Sequence, residues 1–187
     1  NCAWCENGMG PLGQDLKPAL SGWGVHPPPL IEPLLCYWKA TGDPEALAFA
    51  KAFAKGIMTH ARPGNVVQIN PDGSFSGHMH ATLHAMWGIT RLGIETRDPQ
   101  YIEFTRPICN FILSKHSAFT GWIHEAVTPT ADSVCNSGET CGTADMMSLV
   151  AWLAQADSFM PDQHFADYYD HLERYMRNYI APTQFFI

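Results

Sequence analysis

Apolar residues recur along the chain with the period of a helix, in blocks that stop and restart at the same kind of break. Leu47, Ala50, Phe53, Ala54 and Ile57 form one stripe, and Ile102, Thr105, Ile108, Cys109 and Ile112 form another. Both have the spacing that lines one side of an α-helix. Each is preceded by a second apolar helical run and a short polar break, Thr41-Gly42-Asp43-Pro44 in one case and Thr96-Arg97-Asp98-Pro99 in the other. Gly42 can end a helix, Asp43 can cap the next, and Pro44 suits a first helical position, where its missing N–H would be unpaired anyway. The unit is therefore an αα-hairpin. It is written from Leu30 to about Met58, from about His80 to Leu113, and more loosely from Thr143 to Ile180, with a break near Asp157 to Asp162.

A helix with one apolar stripe needs a neighbour to cover it, so stacked hairpins build either an open superhelix or a closed ring, the α/α toroid. The first two breaks lie about 55 residues apart, longer than the roughly 34 of open helical-pair arrays. The extra length sits in connectors running from Thr59 to Gly77 and from Ser114 to Gly138, and connectors this long are usually functional. Val66 to Ile69 followed by Asn70-Pro71-Asp72-Gly73 predicts a short β-strand and a turn in the first of them. In a toroid every connector delivers the chain to the start of a first helix at one rim, so residues just before those helices should converge.

Composition narrows the class. The 187 residues are 46% hydrophobic and 16% charged, which excludes a disordered chain, and roughly 70% of the unfolded surface can be buried at this size. A net charge of -7 lacks the basic footprint of a nucleic-acid binder, and no apolar run approaches the roughly 20 residues of a membrane span. Six cysteines, at 2, 5, 36, 109, 135 and 141, are too few for a disulfide scaffold in a chain of this length. Cys36 and Cys109, inside apolar helical runs, read as buried thiols, and Cys2-Ala-Trp-Cys5 as a disulfide, a metal half-site or a frayed end.

Polar chemistry falls at the expected rim: Trp23 and His26 before the first hairpin, His78 and His80 before the second, and His124-Glu125 and Glu139-Thr140-Cys141 before the third. Glu125, flanked by Trp122 and His124, suits general-acid work if those neighbours raise its pKa, and reads otherwise as an exposed loop glutamate. Glu139 and Cys141 bracket a helix start, where the dipole favours anions and lowers a thiol pKa. They are also half of a zinc site. His80 and His84 share a helical face as metal-binding pairs do, but without a nearby acidic third ligand they read as hydrogen-bonding contacts to a sugar-like substrate. His60, His116, His164 and His171 read as surface residues.

The stretch GWIHEAVTPTADSVCNSGETCGTADMM, residues 121 to 147, resembles the β-L-arabinofuranosidase family of glycoside hydrolases, in which a glutamate precedes a Glu-Thr-Cys motif by a similar interval. HMHATLHAMWGITRLGIETRDPQYIEF and PLIEPLLCYWKATGDPEAL are similar to hairpins of the same family, and together these stretches cover most of residues 28 to 180. The resemblance implies an all-α fold in which αα-hairpin repeats form part of an (α/α)6 toroid, with short β-strands in the connecting loops. It implies retaining hydrolysis of a carbohydrate substrate, with a zinc held by one glutamate and three cysteines, one of them the nucleophile. Carried over, Glu139 and Cys141 are zinc ligands, Glu125 is the acid/base, and His78, His80, His124 and His26 are the candidate substrate contacts.

Two departures stand out. The family's other two cysteines form an adjacent pair downstream, and no cysteine follows Cys141 here, so the nucleophile is missing. Pro28-Pro29 stands about where the family has a histidine before Leu-Ile-Glu, a role that His26 can fill. The expectation is a catalytic-type domain over 1–187 that is part of a longer chain, since three hairpins make half of a six-hairpin ring. A divergent relative, another carbohydrate-active toroid such as a polysaccharide lyase or two-carboxylate hydrolase, and a non-catalytic glycan- or protein-binding scaffold are the other readings. A lyase for uronates needs a basic pocket, and only Arg62 and Lys115 stand near the rim.

Overall fold

The computed structural model describes residues 30–60, 69–127, 138–161 and 163–183. They are mostly helical, and the fold class is all-α. In chain order the elements are α1 (Ile31–Thr41), α2 (Pro44–His60), β1 (Gly77–His78), α3 (Met79–Thr96), α4 (Pro99–Lys115), β2 (Ala126–Val127), α5 (Thr140–Ala154) and α6 (Tyr168–Tyr175). A single π-helical turn, Met176–Ile180, extends α6.

The first two breaks are built by the chemistry their residues carry. Gly42 takes the left-handed conformation, with φ 74°, and returns its N–H to Trp38 O. Asp43 Oδ1 then accepts from Glu45 N at 2.9 Å. At the second break Arg97 occupies the left-handed position, with φ 52°, and Asp98 Oδ1 accepts from Gln100 N at 3.1 Å. The third break is longer than the sequence predicts. After α5 the chain tightens into 3-10 turns at Gln155–Ser158 and Phe165–Asp167 before α6 begins, because Ala156, Met160 and Phe165 are drawn into the core.

α3 is buried around most of its circumference, with Leu83, Met86, Ile89 and Leu92 almost inaccessible, as a helix enclosed by others requires. Each such side chain contributes about 1.5–3 kcal/mol on leaving water. Between α3 and α4 the buried Thr90 and Thr105 hydroxyls bond each other at 2.8 Å and also reach the Met86 and Tyr101 carbonyls, so no polar group is stranded. α1, α3 and α5 lie side by side. Glu32 pairs with Arg91 and Lys39 with Glu95, while His80 meets Asp145 and Arg91 lies over the Trp152 ring. Both partners advance together along each helix pair, so the three first helices run parallel.

One expectation lies outside the described residues and one is corrected. The strand expected at Val66 to Ile69 falls on residues outside the described ones except for Ile69, which makes an isolated bridge to Phe75. Among the described residues extended pairing is confined to the two-residue contact of β1 with β2 and to isolated bridges. Cys109 is buried as expected, but Cys36 is exposed, its thiol 3.4 Å from Glu32 and 3.3 Å from Arg91 in the polar seam between α1 and α3.

Candidate functional site

The second connector is sutured to two helix starts. β2 pairs antiparallel with β1, Gly77 opposite Val127 and His78 opposite Ala126, and Met79 N donates to Glu125 O at 2.8 Å. On its other side His124 bridges to Gly138, and Ile123 N donates to Thr143 Oγ1 at 3.3 Å. Glu125 is thereby pinned between the start of α3 and the start of α5.

The consequence is a convergence of three segments. One ligand-type atom from each of His78, Glu125 and Glu139 lies within 4.8 Å of the others. His78 Nε2 is 3.2 Å from Glu139 Oε2, a buried oxygen that accepts no well-aligned hydrogen bond. His78 precedes α3 in an extended conformation, and Glu139 precedes α5 in the same way, so both side chains project from the helix ends rather than from their flanks.

Cys141 follows in the first turn of α5 and faces Glu139 closely enough to feel its charge. The dipole expectation fails here: burial raises the Cys141 thiol pKa, and the hydrogen bond and charge of Glu139 raise it further, outweighing a nearby backbone N–H.

The remaining predicted contacts point elsewhere. His80 Nδ1 lies 2.5 Å from Asp145 Oδ2. His124 stands with its Nδ1 3.3 Å from that of His116, and His26 lies outside the described residues. His116, expected on the surface, is partly buried. Burial and then the neighbouring His124 lower its pKa, and burial lowers that of His124. His171 is also partly buried, against Arg174, while His164 is exposed as expected and the His60 side chain lies outside the described residues.

Asp145 was missed in the sequence. It sits four residues after Cys141 on the same face of α5, a spacing that could have found it. Burial raises its carboxyl pKa, opposed by the hydrogen bond and charge of His80. A groove of about 610 Å³ opens between α2, α4 and the turn at Asn70, lined by Lys51, Lys55, Tyr101 and Phe104, and takes in none of these residues. The groove has titratable groups of its own, Lys51, Lys55, Tyr101 and Glu103, but the residues singled out in the sequence meet at the three-segment convergence, which is therefore the candidate site.

Two carboxylates and an imidazole, brought together from three segments at helix starts in an all-α domain, are groups able to move protons. Residues 30–184 match the family described as Beta-L-arabinofuranosidase, GH127 catalytic domain, and the chain belongs to that family. No curated protein matches it. Membership implies a carbohydrate substrate. Among the described residues no helix is long and apolar enough to cross a membrane.

Proposed function

We propose that the chain is a β-L-arabinofuranosidase-type, retaining hydrolase unit in which Glu125 is the general acid/base and Glu139 and Cys141 are ligands of a zinc ion. The observation that carries this reading is the convergence of His78, Glu125 and Glu139, from three separate segments, within 4.8 Å. A scaffold without catalysis has no need to bring them together. The hairpins, with three parallel first helices, fit part of an (α/α)6 toroid.

The donor set suits zinc. Glu139 Oε2 is buried without a well-aligned hydrogen bond, and a carboxylate beside a thiol is a set that zinc favours. Bound there, the ion would lower the pKa of a coordinated thiol and orient its sulfur. Glu125 donates its proton to the departing glycosidic oxygen and, as the carboxylate, takes one from the incoming water. His78, within reach of both glutamates, contacts the sugar and holds the Glu139 carboxylate in place. The attacking thiolate of this mechanism has no counterpart among the residues after Cys141.

In the intact protein, nucleophile included, Glu125→Gln should lower turnover of an aryl β-L-arabinofuranoside by at least about 100-fold with the circular dichroism unchanged, and that parent should carry stoichiometric zinc that Cys141→Ser loses. Unchanged turnover in the glutamine variant, together with no zinc in the parent, ends the proposal. A parent that holds zinc and hydrolyses no glycoside reassigns the pocket to glycan binding.

A second reading rests on the same convergence. Two carboxylates brought this close can also serve as a retaining acid/base and nucleophile pair, which would make Glu139 the nucleophile. A fluorinated glycoside that traps the covalent intermediate labels Glu139 in that case and a cysteine in the first.

A further inference from the structure

His80 and His84 share a face of α3, and what their spacing lacked was a carboxylate. α5 supplies it. One ligand-type atom from each of His80, His84 and Asp145 lies within 4.8 Å of the others. We propose that these three residues form a site for a divalent transition metal of the zinc class, distinct from the Glu139 and Cys141 pair.

The chemistry and geometry agree. Two imidazoles and a carboxylate with a fourth position left to water is the ligand set of open zinc sites, whose N and O ligands lie about 2.0–2.2 Å from the ion and hence about 3.3–3.5 Å from one another in a tetrahedron. Reaching that geometry from the observed separations takes side-chain shifts of about 1 Å, within the play of the three rotamers. His84 is already oriented, its ring stacked on Trp87 at 5.1 Å and 24°.

Access is open on one side and closed on the other: the His80 side chain is 33% exposed and that of Asp145 13%. An ion can enter and keep a water while the carboxylate stays sheltered. The nearest cation along this face of α3 is Arg91, and it is taken up by Glu32 and Glu95, so no fixed positive charge competes for Asp145. What Asp145 holds is an imidazole, and the ion would take the place of the proton between His80 Nδ1 and Asp145 Oδ2, which passes to His80 Nε2 or to solvent.

The site adjoins the convergent residues, the His78 and His80 rings lying 6.0 Å apart and nearly perpendicular, but shares no ligand with them. It does not rest on the hydrolase reading and survives that reading's failure.

The test uses the 187-residue chain in a Glu139→Gln/Cys141→Ser background, titrated with Co²⁺ and followed by absorption spectroscopy, with Zn²⁺ competition for affinity. The expected result is one equivalent of bound cobalt with ligand-field bands, no thiolate-to-metal charge-transfer band, and binding weakened by at least about 100-fold on adding His84→Gln or Asp145→Asn. His84 is partly exposed, so its variant remains informative if Asp145→Asn does not fold. Cobalt binding that shows a thiolate band, that changes less than about twofold in the His84 variant, or that is absent from the background protein overturns the proposal.

Discussion

Glu125 is held in part by main chain. The hydrogen bond from Met79 N to its carbonyl and the pairing of β1 with β2 do not involve its carboxylate, which is why Glu125→Gln, with the fold checked by circular dichroism, separates chemistry from folding. His116 and His124 carry a different consequence. Both have pKa values held below the ordinary 6.5 by burial, so below about pH 6.5 the unfolded chain binds protons that the folded one resists. Stability is complete above that pH and falls as the pH drops below it. Thermal melts between about pH 7.5 and 5 should show this loss, and His116→Gln/His124→Gln should reduce the slope, while His171, shifted the same way, keeps part of it. A slope identical in parent and variant removes the pair from this account. At this scale the sequence made Glu125, Glu139 and Cys141 visible because motif and rim position coincided. Asp145 and His116 were not visible, since their significance comes from partners 65 and 8 residues away in sequence that only the fold brings into contact.

The elements were legible where their signals are local. Gly42-Asp43-Pro44 and Asp98-Pro99 end and start helices by groups within two residues of the break, and the structure realises both. The third break depends on Ala156, Met160 and Phe165 finding the core, a tertiary preference no local pattern contains. Arg97 marks where the second turn is less well made than the first. An exposed arginine held at φ 52° pays a steric cost that glycine does not, so Arg97→Gly should raise stability in chemical denaturation by about 1 kcal/mol. Gly73 is the opposite case. At φ 84° its missing side chain leaves room for the α4 backbone, and a Cβ would stand 2.2 Å from the Pro107 carbonyl carbon. Gly73→Ala should lower stability by more than about 2 kcal/mol and loosen the first connector from α4, read as faster amide exchange around Asn70.

For the whole molecule, three parallel first helices with their starts on one side make the helix ends a common floor on which metal ligands from different hairpins can meet. An ion held there would tie hairpins to one another as well as serve the proposed chemistry. Zinc at about 100 times its Kd should stabilise the fold by about 2.7 kcal/mol, raising the melting temperature, and chelation should reverse it. A melting temperature indifferent to both would mean that no ion bridges these segments. Hairpin repetition was legible because each unit states its own amphipathic pattern. The meeting of His78 with Glu125 and Glu139 was only inferable from the ring geometry, since it is assembled by backbone pairing between residues with no sequence signature, such as Gly77 with Val127.

The polar contacts between α3 and α5 also act as keys between otherwise smooth surfaces. Leucine, methionine and valine side chains tolerate sliding, whereas His80 against Asp145 at one end and Arg91 over Trp152 further along admit one alignment. A slip of one helical turn, about 5.4 Å, would set His84 in place of His80 against Asp145 but would take Arg91 off the Trp152 ring, so the second contact decides the register. The axial setting of one hairpin on the next is thus held by two polar notches rather than by the apolar surface between them.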